Sequence, residues 1–96
     1  MKVAVIGAGS WGTALAQVVA KNNNEVLLWA RKDEVVRGIN ENHANPRYLS
    51  DVALSKNITA TKSHEEVLSG AQACVIVMPS STLRETAQAI APFVSD

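Results

Sequence analysis

The stretch VIGAGSWGTALA, residues 5–16, decides the fold. Its glycines, Gly7, Gly9 and Gly12, follow the G-x-G-x-x-G spacing of a phosphate-binding turn. In that pattern the first glycine permits a tight turn, the second lets the backbone approach a pyrophosphate, and the third lets a helix pack closely on the sheet. The run before the turn, KVAVI at residues 2–6, is typical of a strand buried on both faces. The stretch therefore predicts a strand, a glycine turn and a helix that together bind a dinucleotide.

The segment after the turn supports this interpretation. TALAQVVAK, residues 13–21, contains strong helix formers and no breaker. The free N–H groups and the positive dipole end at the start of such a helix attract phosphate. A tight turn with no ligand is the alternative. Trp11 places an indole where the backbone must approach the pyrophosphate, so we expect its side chain to point away, toward the cleft, with packing against the sheet as the alternative.

Strands alternate with helices along the chain. Apolar runs predict strands at residues 2–6, 25–30, 57–61 and 73–78. Helices are expected after the glycine turn, from Asp33 and Glu34, and from two S/T-x-x-E capping boxes, Ser63–Glu66 and Thr82–Glu85. This alternation indicates parallel strands joined by right-handed crossovers. We therefore expect an α/β fold, a Rossmann-type parallel sheet of about four strands in the order 3-2-1-4 with flanking helices.

Apolar residues at helical spacing predict which helix faces meet the sheet. These are Leu15, Val18 and Val19 in the first helix, Val35, Val36 and Ile39 in the second, and Leu83, Ala87, Ile90 and Val94 in the fourth. Residues 22–24, all asparagine, are expected to end the first helix, and Gly70 the third.

Composition excludes several classes of protein. The chain has 96 residues, 47% of them apolar, and equal numbers of acidic and basic residues. The zero net charge gives no support to nucleic-acid binding, and the apolar content argues against disorder. No stretch approaches the roughly 20 apolar residues of a membrane span, and glycines interrupt the N-terminal run that loosely resembles a signal peptide. We expect a soluble, cytoplasmic protein.

The cysteine and histidine content indicates no reactive thiol and no metal site. Cys74 is the only cysteine, which suits a reducing compartment, and its apolar neighbours predict a buried structural role. His43 and His64 stand in polar surroundings without partners at metal-ligand spacing, so surface positions are expected for both.

The end of the second strand indicates which cofactor binds. An acidic residue there pairs with the ribose hydroxyls of NAD, whereas an arginine accommodates the 2′-phosphate of NADP. The sequence reads WARKD, with Arg31 and Lys32 first and Asp33 better placed as a helix cap. NADP(H) is favoured and NAD(H) is the alternative; a solvated pair of cations is the competing interpretation. In the loop after the fourth strand, Ser80 and Ser81 are expected either to touch the cofactor or to cap the next helix.

Several motifs together resemble one enzyme family. VIGAGSWGTALA, EVLLWAR, NPRYL, ITAT and VMPSSTLRE occur in the order and spacing of the bacterial NAD(P)-dependent glycerol-3-phosphate dehydrogenases. The resemblance covers nearly all of this chain but only the N-terminal part of that enzyme. It implies cofactor contacts for Ser10 and Trp11 in the glycine turn, for Arg31 and Lys32 at the adenosine end, and for Tyr48 nearby.

The resemblance also implies an activity. Members of this family reduce dihydroxyacetone phosphate to sn-glycerol 3-phosphate with NADPH or NADH, in the cytoplasm, for phospholipid synthesis. The resemblance further implies that the intact protein is a dimer with a helical C-terminal substrate domain. The catalytic lysine of the family lies beyond Asp96, so no catalytic residue is assigned in this chain.

We therefore expect residues 1–96 to be the N-terminal portion of a dinucleotide-binding domain, without the substrate domain. Alone, this portion is expected to bind cofactor weakly, to catalyse nothing, and to be marginally stable or to self-associate through the apolar edge of its fourth strand. Two other functions stay open at this point: another NADP-dependent reductase, such as a 2-hydroxy-acid or ketopantoate reductase, and a nucleotide-sensing regulatory domain.

Overall fold

The computed structural model of the chain describes residues 1–48, 52–77 and 88. The elements are β1 (Lys2–Ile6), α1 (Ser10–Lys21), β2 (Glu25–Trp29), α2 (Asp33–Asn42), β3 (Ile58–Thr61), α3 (His64–Leu68) and β4 (Ala73–Ile76). They form a sheet of four parallel strands in the order β3-β2-β1-β4. The predicted fold class and strand order are confirmed.

The predicted element bounds agree closely with the observed ones. β1 matches its predicted range, β2 ends one residue earlier, at Trp29, and β3 begins one residue later, at Ile58. β4 is observed over Ala73–Ile76. The predictions for Met78, for Ser80 and Ser81, and for a helix beginning near the Thr82–Glu85 capping box lie outside the described residues.

Helices cover both faces of the sheet. On one face, α1 and α2 pack on the strands, with Val5, Leu28 and Ile39 among the fully buried residues. On the other face, α3 contributes Val67 to a smaller cluster with Ile6 and Trp29. The central strands β1 and β2 are therefore buried on both faces, as their continuous apolar sequences predict.

The face that α1 turns to the sheet differs from the prediction. Its buried residues are Gly12, Thr13, Ala16 and Ala20, whereas Leu15 and Val19 are half-buried and Val18 is 59% exposed. The contact is made by small side chains because the glycine turn brings this helix very close to β1. Of the three residues predicted to face the sheet, Val19 nevertheless packs against this core.

The ends of the helices follow most of the sequence signals. Asn23, with φ of 64°, and Gly70, with φ of 71°, adopt the left-handed conformation after α1 and α3. The Ser63 hydroxyl accepts a hydrogen bond from the backbone N–H of Glu66, as a capping box requires. Asp33, however, is not the cap of α2: Lys32 occupies that position, and Asp33 lies in the first turn, where its carboxylate suits the helix dipole.

Cys74 and the histidines differ from their predicted environments. Cys74 is exposed on β4, an edge strand of the described sheet. Partial desolvation still raises the pKa of its thiol. His43 and His64 are half-buried, each with one ring nitrogen fully shielded from solvent. His43 ends α2 with φ of 53°, and His64 stacks on the Trp29 indole at 4.5 Å between ring centroids.

Candidate dinucleotide-binding site

The glycine turn connects β1 to α1 at the carboxyl edge of the parallel strands. Gly7 has φ of 118°, a conformation that strongly favours glycine, and its N–H donates to the Trp29 carbonyl at 3.1 Å. Helix α1 begins at Ser10 with Gly9 as its N-cap, and no side chain caps it. Its first turn contains no acidic residue. The N–H groups that every helix leaves unpaired at this end thus remain available to an anion.

The second and third glycines have the separate roles that the spacing predicts. A Cβ at Gly12 would overlap the carbonyl oxygen of Gly7, so only glycine permits this approach of helix and turn. A Cβ at Gly9 would meet no atom within 4 Å. The space beside Gly9 is therefore open to a ligand.

A cavity of about 300 Å³ lies against this turn. Gly7, Ala8 and Gly9 form one wall, and Tyr48 lies on another. The remaining lining comes from the end of β2, the start of α2 and the end of β4, with Trp29, Ala30, Arg31, Lys32, Val35 and Val77. Ligands of open α/β sheets bind at this edge, where the strand order reverses between β1 and the next strand of the sheet.

Cations predominate at the β2 side of the cavity. Arg31 and Lys32 are both exposed and form no ion pair within the described residues. The neighbouring carboxylate of Asp33 is engaged by the Lys62 ammonium at 3.0 Å. This part of the site therefore presents net positive charge, the arrangement that suits a phosphate on the ribose.

Tyr48 reaches the cavity from the loop after α2. In the same loop, the guanidinium of Arg47 donates to the Glu34 carboxylate at 2.7 Å. The hydrogen bond and the charge of Glu34 raise the pKa of Arg47. This pair ties the loop to the first turn of α2, next to the residues that line the cavity.

Sequence reasoning missed one residue of this loop, Asn45. Its side chain is fully buried, donates to the Ala8 carbonyl in the glycine turn and accepts from the backbone N–H of Tyr48. It stands in the NPRYL motif, but local sequence carries no sign of a partner 37 residues away. The only available signal was an asparagine directly before a proline in a polar loop.

Five of the eight predicted cofactor-binding residues line the cavity: Gly7, Gly9, Arg31, Lys32 and Tyr48. Ser10, Trp11 and Gly12 do not line it. Gly12 lies behind the turn, and Trp11 is 83% exposed at the first turn of α1, which excludes packing of its indole against the sheet. The indole is thus directed outward, beside the turn.

The described residues contain neither a metal-binding cluster nor a membrane-spanning helix. No group of three or more histidine, cysteine or acidic side chains there could hold a metal ion. Within residues 1–48, 52–77 and 88, no helix has the length and apolar character needed to cross a bilayer.

A parallel 3-2-1-4 sheet whose first strand runs through a glycine turn into a helix defines the class of Rossmann-type dinucleotide-binding domains. Residues 2–96 match the family model described as the NAD-dependent glycerol-3-phosphate dehydrogenase N-terminus. The chain belongs to this family, which confirms the resemblance drawn from its motifs. The other reductases and the nucleotide-sensing domain are not favoured.

Individual relatives agree with this assignment. The chain is 50% identical over 84 residues to a glycerol-3-phosphate dehydrogenase [NAD(P)+] of Corynebacterium urealyticum, covering 88% of this chain and 25% of that protein. It is 45% identical over 87 residues to the enzyme of the same name from Limosilactobacillus reuteri, covering 91% and 26%. The crystal structure of glycerol-3-phosphate dehydrogenase from Coxiella burnetii superimposes with a TM-score of 0.92 at 32% identity, covering 99% of this chain and 29% of that one. The chain thus spans about a quarter of the length of the curated relatives that it matches.

Proposed function

We propose that this chain is the cofactor-binding part of an oxidoreductase that interconverts dihydroxyacetone phosphate and sn-glycerol 3-phosphate with NADP(H) or NAD(H). The observation that carries the proposal is the cavity in which the glycine turn faces the cations Arg31 and Lys32. A dinucleotide laid across it would place its pyrophosphate at the start of α1 and its adenosine end at the end of β2. Membership of the dehydrogenase family supports the same reaction.

The described residues fit such a cofactor. The Gly7–Gly9 turn, with the first-turn N–H groups at Ser10 and Trp11, would hold the pyrophosphate, while Gly12 keeps the helix close enough for this. Arg31 and Lys32 would hold the adenosine end, and Tyr48 would contact the cofactor from the opposite wall. When bound, the nicotinamide supplies the hydride chemistry, and this chain binds and orients it. NADP(H) is the favoured cofactor because two cations, rather than an acidic residue, follow β2 directly.

The proposal extends to the full-length protein. Residues 1–96 would be the N-terminal portion of its dinucleotide-binding domain, and a helical C-terminal domain would bind the phosphorylated substrate. The intact enzyme would act as a homodimer in the cytoplasm, in glycerophospholipid synthesis, without a nucleic-acid partner. The enzyme name of the relatives supports the phosphorylated substrate, and the neutral composition of this chain supports the absence of a nucleic-acid partner.

The test is a titration of the full-length protein with NADPH and NADH, followed by an assay of dihydroxyacetone phosphate reduction with each. Replacing Arg31 with Glu is expected to raise the Kd for NADPH by roughly tenfold or more, because a cation paired with the 2′-phosphate becomes an anion. The Kd for NADH, which lacks that phosphate, is expected to change about twofold at most.

Arg37→Glu is the matched control for this experiment. Arg37 is also exposed and lies on α2, but it does not line the cavity. The Arg37→Glu variant should leave the affinities for NADPH and NADH close to those of the unmodified protein. Equal weakening of NADPH and NADH by Arg31→Glu would contradict the 2′-phosphate role, and absence of binding by either cofactor would overturn the proposed function.

A further inference from the structure

The Asn45 side chain is a polar group next to the glycine turn whose hydrogen-bonding capacity is fully used. It is fully buried, although it lies in a loop. Its Nδ2 donates to the Ala8 carbonyl at 2.9 Å and to the Thr13 hydroxyl at 2.9 Å. Its Oδ1 accepts from the backbone N–H groups of Arg47 and Tyr48, each at 3.1 Å. An amide side chain offers two donors and two acceptor positions, and all four are used.

Thr13 acts on the same peptide of the glycine turn. Its hydroxyl donates to the Ala8 carbonyl at 3.3 Å and accepts from Asn45, and it is itself fully buried. The Ala8 carbonyl therefore points into the protein, toward two buried donors. In a trans peptide the carbonyl and the following N–H point in opposite directions, so the N–H of Gly9 points away from Asn45 and Thr13. Ala8 and Gly9 line the cavity, whereas Asn45 and Thr13 do not.

We propose that Asn45 and Thr13 are positioning residues for the cofactor: they fix the Ala8–Gly9 peptide so that its N–H faces the pyrophosphate. Through Oδ1, Asn45 also holds the backbone that carries Tyr48, so one buried side chain determines the relative placement of two walls of the site. This inference rests on the proposed function, since it concerns the same cavity. Without these bonds the peptide could rotate and present its carbonyl, which repels phosphate.

Two variants, Thr13→Val and Asn45→Asp, test whether the hydrogen bonds to the Ala8 carbonyl orient the Ala8–Gly9 peptide for binding. Thr13→Val removes the hydroxyl with little change of shape, and Thr13→Ser retains it. Asn45→Asp retains the acceptor for Arg47 and Tyr48 but loses both donors and places an oxygen against the Ala8 carbonyl. Asn40→Asp is the control for the chemical change itself, because the exposed Asn40 exchanges two hydrogen bonds with the Ala60 backbone, at 2.9 and 2.8 Å, away from the cavity.

The measurement uses two small probes in competition with NADPH on the full-length protein. ADP carries the pyrophosphate without a 2′-phosphate, whereas adenosine 2′-monophosphate carries the 2′-phosphate without a pyrophosphate. We expect Thr13→Val and Asn45→Asp to weaken NADPH and ADP by roughly tenfold, the loss of about one hydrogen bond to a charged group. The Kd for adenosine 2′-monophosphate should stay within about twofold, and Thr13→Ser should bind ADP as the unmodified protein does.

The outcomes separate this inference from the proposed function. Absence of NADPH and NADH binding by the unmodified protein overturns both. If the unmodified protein binds NADPH but Thr13→Val binds ADP as tightly as the unmodified protein does, only the positioning role is overturned. An equal loss for ADP and adenosine 2′-monophosphate also overturns it, because general damage to the fold would then explain the loss. Should Asn45→Asp fail to fold, ADP binding by Thr13→Val compared with Thr13→Ser decides whether the positioning role holds.

Discussion

At the scale of single residues, the three glycines of the turn are not equivalent. Gly7 is required by its backbone conformation and Gly12 by the closeness of the Gly7 carbonyl, and both requirements belong to the fold. Gly9 has φ of −75° and open space at its Cβ position, so neither conformation nor packing demands glycine there. Under the proposed function, the requirement for glycine at this position comes from the ligand.

Alanine at Gly12 should therefore lower stability, whereas alanine at Gly9 should weaken cofactor binding. Gly12→Ala is expected to lower the free energy of unfolding by about 3 kcal/mol, because the added methyl overlaps backbone that cannot move alone. Gly9→Ala should change the free energy of unfolding by less than about 1 kcal/mol, the difference between the two residues as N-caps. It should nevertheless weaken NADPH at least about tenfold by filling the space for the pyrophosphate. Chemical denaturation and NADPH titration of both variants measure this, and normal NADPH affinity in Gly9→Ala would contradict it.

At the scale of elements, the sequence predicted what depends on local pattern and missed what depends on distant partners. Short apolar or β-branched segments located all the described strands to within a residue or two, and the Ser63–Glu66 box located the start of α3. The predicted inward face of α1 was only partly right, because hydrophobic spacing selects large residues, whereas the close approach at Gly12 requires small ones. The burial of Asn45 was missed because its partners are distant in sequence.

Helix α3 provides a test at this scale, because only one of its five residues is fully buried. Val67 is fully buried against β1 and β2, and the other residues of this five-residue helix are half-buried or exposed. Val67→Ala is expected to lower the free energy of unfolding by about 2 kcal/mol, from lost apolar burial and the resulting cavity. Glu65→Gln, in the same helix but exposed, should stay within about 0.5 kcal/mol. Equal effects of the two changes in urea denaturation would show that α3 is not anchored through Val67.

At the scale of the whole molecule, the site is assembled from segments that are separate in sequence. The glycine turn follows β1, the two cations follow β2, and Tyr48 comes from the loop after α2. Parallel strands bring these together because all their carboxyl ends lie at one edge of the sheet. This is why strand order and direction, without any knowledge of contacts, could predict four of the cavity-lining residues, Gly7, Gly9, Arg31 and Lys32. The fifth, Tyr48, was implied only by the family resemblance.

The exposed edge of β4 leads to a prediction for the 96-residue chain expressed by itself. Within the described sheet β4 pairs only with β1, and its residues Ala73–Ile76 are apolar, with Val75 36% exposed. An apolar strand with unpaired N–H and carbonyl groups readily pairs with another chain. We expect this polypeptide to self-associate as its concentration rises, measured by light scattering. Val75→Lys should shift it toward monomer because charge on an apolar edge strand opposes pairing. Thr59→Lys lies on β3, the opposite edge of the described sheet, and should have little effect because that strand alternates apolar and polar residues. A stable monomer with a high Tm would contradict the expectation, as would equal effects of the two lysines.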